Sequence, residues 1–223
     1  MTAEITREYG PFPGISHVHG VTFDGRQIWF AAGDKIVALD PASGNVVGSI
    51  AVPAQAGTAF DGRHLYQIAG DRIQKIDPKT GNVLGIIPTP GGGSDSGLTW
   101  AEGTLWLGRY RDRKILQVDP ETGAILRTIE SNRFVTGVTW VDGELWHGTM
   151  EDDESELRRI DPHTGEVLDR LEMPQGVRIS GLESDGGGRF FCGGAKSGML
   201  RIVRRPGRGA ARRPSAGRAA AGG

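Results

Sequence analysis

"GTAFDGRHLYQIAGDRIQKIDPKTGNVLGII", residues 57–87, decides the fold. Two turn signals punctuate it. Asp61-Gly62 is a hairpin dipeptide, because glycine accepts the positive φ that a tight two-residue turn demands. In "DPKTG", residues 77–81, the Asp77 carboxylate can accept from backbone N–H groups two residues on, Pro78 fixes φ, and Gly81 supplies the left-handed position. Around these turns lie short runs of Val, Ile, Leu, Tyr and Phe of strand length. The stretch therefore reads as four short antiparallel strands.

The unit recurs. Residues 20–50, 97–129, 137–171 and the shorter 181–206 align with it, opening on Gly20, Gly97, Gly137 and Gly181. Four-stranded units of about forty residues in tandem predict a β-propeller. The fold class expected is all-β: a five-bladed propeller over residues 1–206. The fifth unit stops after its third strand at "MLRIVRRP", whereas "EITREYGPF" precedes the first blade without a blade of its own. The N-terminal segment is therefore predicted to supply the missing outer strand of the last blade and remove the open edge.

Composition fits one soluble domain, with 37% hydrophobic residues and no tract resembling a membrane span. The polar start "MTAEITREYG" lacks the apolar core of a secretory leader, and Cys192 is the sole cysteine, which precludes an intrachain disulfide. A cytoplasmic location is the expectation. The formal net charge of −1 is the balance of an acidic body and a tail, residues 204–223, that carries six arginines and no acid. Residues 207–223, rich in Arg, Ala, Gly and Pro, are expected to be disordered. The body shows no basic groove with interleaved aromatics, so neither a specific nucleic acid nor a membrane is expected as partner. A small-molecule substrate is expected, and a protein partner is left open.

Strand order places the Asp-Gly hairpins and "DPxTG" turns on one face. On the other fall irregular loops such as "PFPGISHVHG", "PTPGGGSDSG" and "GGAKSG". Function concentrates on variable loops held by a rigid scaffold, so the second face, around the channel mouth, is the expected site. The residues just before the repeat glycines are His19, Ala56, Ser96, Thr136 and Ser180, a ring of small side chains broken by one imidazole. Two residues after the glycines stand Thr22, Ala59, Thr99, Thr139 and Glu183, where one carboxylate faces four small residues.

His19 and Glu183, with His17 second, are thus the catalytic candidates, as a general base and acid pair. Arg109, Arg111, Arg133 and Arg178 would form an electropositive rim for an anionic substrate, with Asp95 also lining the site. His17, His19 and Glu183 are equally candidates to hold one divalent metal ion, helped by Asp95, since imidazole and carboxylate suit Zn, Mn or Ni. No organic cofactor is indicated. Trp29, Tyr66, Trp106, Trp146 and Phe191 share a register and read as inter-blade packing. His147 and Cys192 read as buried between sheets, His64 and His163 as surface residues of the turn face, and the acidic run Glu151–Glu156 as a solvated loop.

"WVDGELWHGTM", residues 140–150, and "LRRIDPHTGEVLDRLEMP", residues 157–174, resemble blades of the five-bladed glutaminyl cyclases, or glutamine cyclotransferases, of plants and bacteria. A broader likeness reaches virginiamycin B lyase and other propellers with "IDPxTG" turns. It spans residues 15–203. The resemblance implies an enzyme of cyclotransferase, lyase or hydrolase type, with a non-catalytic binding propeller as the alternative. The lyase likeness further implies magnesium and a histidine base in an elimination.

Overall fold

In the computed structural model, residues 1–90 and 92–207 are described. Among them, twenty strands form five four-stranded antiparallel sheets. Strand β1 (Ile5–Tyr9) precedes the first blade. That blade holds β2 (Val21–Phe23), β3 (Ile28–Ala31), β4 (Ile36–Leu39) and β5 (Val46–Ile50). The second holds β6 (Thr58–Phe60), β7 (Leu65–Ala69), β8 (Arg72–Ile76) and β9 (Val83–Pro88). The third comprises β10 (Asp95–Ala101), β11 (Thr104–Arg109), β12 (Lys114–Val118) and β13 (Ile125–Glu130). The fourth comprises β14 (Phe134–Val141), β15 (Glu144–Glu151), β16 (Glu154–Ile160) and β17 (Val167–Glu172). The fifth has β18 (Gly181–Ser184), β19 (Arg189–Gly193) and β20 (Leu200–Arg204), and takes β1 as its fourth strand in the order β1-β20-β19-β18.

The predicted closure is thus present. β1 runs antiparallel to β20, with Tyr9 opposite Leu200 and Ile5 opposite Val203. The Tyr9 hydroxyl donates to the Pro41 carbonyl at 2.6 Å, which ties the closing strand to the first blade as well. The arginine-rich segment expected to be disordered lies, beyond Gly207, outside the described residues.

The turn chemistry is what the repeat implies. Asp119 accepts from the N–H groups of Glu121 and Thr122 at 3.0 and 2.8 Å, and Asp161 from those of His163 and Thr164 at 2.7 and 2.8 Å. These bonds, led by the Thr122 and Thr164 N–H groups, hold both carboxyls below their usual range. Gly44, Gly81, Gly123 and Gly165 close the turns with φ between 74° and 79°, the left-handed region that favours glycine.

The core is divided among the blade junctions. Five buried apolar clusters each draw side chains from two neighbouring blades. Aromatic pairs mark them: Tyr66 stacks on Trp100, Trp106 on Trp140, and Trp146 meets Phe190, with centroids 5.0 to 5.5 Å apart. Each pair joins a middle strand to a strand of the next blade, so the aromatic register does serve inter-blade packing. His147 and Cys192 are buried at the same level. Burial, reinforced by the Arg158 charge, lowers the His147 pKa to about 4. The Cys192 thiol is pushed well up by burial.

Nearest the axis, the five repeat glycines meet backbone to backbone. A Cβ on Gly97 would stand 2.7 Å from both the Thr136 carbonyl oxygen and the Val138 nitrogen. Gly57 faces the Gly97 segment, Gly137 faces Gly181, and Gly181 faces Gly20 in the same manner. Only a residue without a side chain allows the inner strands to approach so closely, which is why the unit opens on glycine.

Candidate functional site

A cavity of about 670 Å³, to which all five blades contribute, opens on the irregular-loop face. His19 enters it from the first blade and Gln55 and Ala56 from the second. Asp95, Ser96 and Tyr110 line it from the third blade, and Thr136 and Met150 from the fourth. Arg178 and Ser180 precede the fifth blade, and Lys196, Ser197 and Arg201 complete its wall. Four of the five residues placed before the repeat glycines are ordinary small side chains, so the imidazole of His19 is the one ring at that level.

His17 and His19 stack with ring centroids 5.3 Å apart and planes 9° from parallel. The alternation of an extended segment puts both rings on one side. The Ser16 hydroxyl lies 2.9 Å from His17 Nδ1. The His19 pKa is lowered, mainly by burial and secondarily by the His17 charge. His19 is therefore a neutral imidazole at neutral pH, able to take a proton.

Glu183 is placed elsewhere. It does not line the mouth cavity but lies beneath the glycine ring, among the side chains two residues further along the inner strands. The Thr22 hydroxyl donates to Oε2 at 2.9 Å, the Thr139 hydroxyl donates to Oε1, and the Ser184 N–H reaches Oε1 at 2.9 Å. Burial raises its pKa to about 7 in spite of those three donors. The expected pairing of His19 with Glu183 is thus replaced by two separate groups, because the glycine ring intervenes. Among the described residues no three His, Cys, Asp or Glu side chains converge as a metal ligand set, so His17, His19 and Glu183 do not come together as one.

The expected arginine rim is also redistributed. Arg178 lines the cavity and reaches out to Asp153. Arg109 pairs with Asp112 at 2.7 Å and stands 3.7 Å from Asp95. Arg111 borders a separate shallow pocket beside Gly92 and Ser94. Arg133 is turned outward, held by Glu156 at 3.1 Å and Glu154 at 3.6 Å on β16. The acidic run that reads as a solvated loop supplies these partners.

Asp95 keeps its expected place. Its side chain is fully buried, and neither oxygen has a hydrogen bond of good geometry. Burial raises its pKa, only partly offset by the nearby Thr89 hydroxyl and the Arg109 guanidinium. Arg201 and Lys196 were not foreseen. A partial signal existed for Arg201: its register in the third strand of each blade holds Val37, Gln74 and Leu116 in the first three blades, opposite Phe30, Gln67 and Leu107. The fourth blade also carries an arginine there, Arg158 opposite His147, so the last two blades share a buried guanidinium where the first three have none.

Fold and cavity together define a five-bladed β-propeller with a small-molecule-sized mouth. The family model described as outer membrane protein assembly factor BamB matches residues 69–221, and the chain belongs to that family. Among solved structures, the glutaminyl cyclase of Myxococcus xanthus superposes with a TM-score of 0.75 at 18% identity, covering 91% of this chain and 96% of the cyclase. Hydrazine synthase of Kuenenia stuttgartiensis superposes with a TM-score of 0.52 at 18% identity, covering 80% of this chain and 56% of the synthase chain. At such identities the likeness is one of fold. No curated protein matches the sequence significantly. Among the described residues, no helix is long and apolar enough to cross a membrane.

Proposed function

We propose that the chain is an enzyme acting on a small molecule at the channel mouth, of the cyclotransferase, lyase or hydrolase type. The shared shape with a glutaminyl cyclase favours the cyclotransferase kind. The observation that carries the reading is a neutral, half-buried imidazole, His19, on the wall of a cavity that also holds the buried carboxyl of Asp95. Perturbed titratable groups on one concave polar wall are the arrangement that proton-transfer chemistry requires.

In a cyclisation, an amine of the substrate attacks a carbonyl carbon of the same molecule. His19 takes the amine proton as the C–N bond forms, and returns it to the leaving group as the old bond breaks. Thr136, on the same wall and with its hydroxyl unpartnered, would hold the substrate. Glu183, below the glycine ring, sets the geometry of the inner strands rather than touching the substrate.

The test is incubation of the purified chain with peptides bearing N-terminal glutamine, read by ammonia release and mass spectrometry. Turnover that His19→Ala abolishes supports the reading. Turnover unaffected by His19→Ala removes it. A second reading, a non-catalytic protein-binding propeller, is favoured by the exposed apolar side chains Val47, Leu84, Ile86, Leu126 and Leu168 on the outermost strands of four blades. It prevails if function survives loss of His19 but is lost on replacing those residues with polar ones.

A further inference from the structure

Three polar groups on the wall of the mouth cavity are buried and incompletely matched. Asp95 on the third blade has a fully buried side chain whose companions, the Arg109 guanidinium at 3.7 Å and the nearby Thr89 hydroxyl, make no hydrogen bond of good geometry to it. Thr136 on the fourth blade has a buried hydroxyl without a partner. Arg201 on the fifth blade, itself buried, holds Glu8 through Nε at 2.7 Å but leaves Nη1 unbonded. Buried polar groups are nearly always satisfied, because an orphaned one costs about 1–3 kcal/mol and a charged one more. Three on one concave wall point to partners that a ligand supplies.

We infer that the cavity recognises a small dipolar molecule with an amine at one end and a carboxylate at the other: a free amino acid or a short peptide with both ends unblocked. This deepens the proposal that the mouth is a substrate site and rests on it. Asp95 is an acceptor awaiting donors. Arg109 stands 3.7 Å from it, close enough to moderate its charge but too far for a hydrogen bond, so its lone pairs remain available to an ammonium group.

Two blades further round the ring, the Arg201 guanidinium packs under the bare backbone of Gly194, where a Cβ would stand 2.7 Å from Nη1. That nitrogen is buried and makes no hydrogen bond. A carboxylate is the natural partner of a guanidinium edge, and Lys196 on the rim adds a second positive charge. Thr136 lies between the two poles and can donate to a carbonyl or accept from an amide. A simple anion would leave Asp95 unmatched, and a simple cation would leave Arg201 unmatched. A volume of about 670 Å³ admits more than a single small amino acid and lies in the range of small-ligand sites.

The experiment is calorimetric titration of the full chain with the standard free L-amino acids and a set of unblocked dipeptides. The tightest binder is then repeated in N-acetylated and C-amidated forms. Each block is expected to weaken binding by about tenfold or more, the loss of one charge-assisted contact. Asp95→Asn should remove the penalty of N-acetylation, and Arg201→Gln that of C-amidation. Since Arg201 also holds Glu8, Arg201→Lys serves as the second variant, keeping the charge and part of the preference. Binding of the blocked forms as tight as that of the free compound overturns the inference, as does failure of every unblocked compound to bind. Selective binding without turnover sinks the enzyme reading and leaves the inference standing. Turnover of doubly blocked substrates as fast as free ones does the reverse.

Discussion

Replacing Glu183 by glutamine is expected to make the protein more stable at alkaline pH and to flatten its dependence of stability on pH. The carboxyl is buried among Thr22, Thr139 and the Ser184 N–H, and its pKa is raised from 4.5 to about 7. Below about pH 4.5 it is protonated in both folded and unfolded chains, and its burial carries no charge penalty. As the pH rises from there towards 7, the unfolded chain ionises first and unfolding gains free energy. Above about pH 7 both states are ionised and the loss is complete. Linkage over that shift gives a loss of about 2.5 kcal/mol between about pH 5 and about pH 8. Glutamine keeps the shape and the hydrogen bonds, since each threonine hydroxyl can either donate or accept, and it does not titrate.

Urea unfolding of both proteins at the two pH values measures the effect as a difference of differences, in which all other titrating groups cancel. For a chain of this size the same quantity corresponds to a melting shift of roughly 5–10 °C. Parallel pH profiles for the two proteins would refute the burial argument and would place Glu183 in contact with water.

Further outcomes are expected. Gly97→Ala forces a Cβ to within 2.7 Å of the next inner strand and should cost about 3 kcal/mol or more in denaturant titrations, since neither backbone can yield without disturbing the ring. Tyr9→Ala removes a buried ring and the bond to the Pro41 carbonyl, a loss of about 3–5 kcal/mol by the same assay. His19→Ala should leave the melting temperature nearly unchanged, because the other blades carry small residues there, while lowering turnover by about 10²–10⁴-fold. The wild-type rate should fall only below the ordinary imidazole pKa, because the His19 value is lowered. Cys192, buried and with its thiol pKa raised, should resist thiol reagents in the folded protein and react fully in denaturant.

The repeat makes the fold legible because each blade solves one physical problem with the same residues. Asp77 and its counterparts cap turns, Gly57 and its counterparts permit close approach, and Tyr66 and its counterparts fill junctions. Departures from the repeat were a good guide to the site where side chain and loop shared one register: His19, Asp95 and Arg178 do line the mouth. They misled where depth mattered. Glu183 and His19 stand only three residues apart in the aligned register, yet a layer of backbone lies between them, and nothing in a one-dimensional alignment records that layer. Arg133 was misplaced because its partners, Glu154 and Glu156, sit on β16, two strands along the blade from β14, a proximity that is a matter of three-dimensional register. Arg201 does not stand out in the repeat, because its register holds an arginine in the fourth blade as well.

Strand β1 pairs with β20 at the far end of the chain, so the ring is a clasped bracelet rather than a hoop. During synthesis the first strand emerges long before its partner exists. Until the last blade is made, the growing chain is an open arc with two raw edges, one at the first blade and one at the newest. Contacts of such sequence separation come late and slowly, and an unclasped arc can take the β1 of a second molecule as readily as its own. Slow refolding and strand-exchanged dimers at high concentration are therefore the characteristic ways for this molecule to fail, and both should diminish when β1 is joined by a short linker directly after β20.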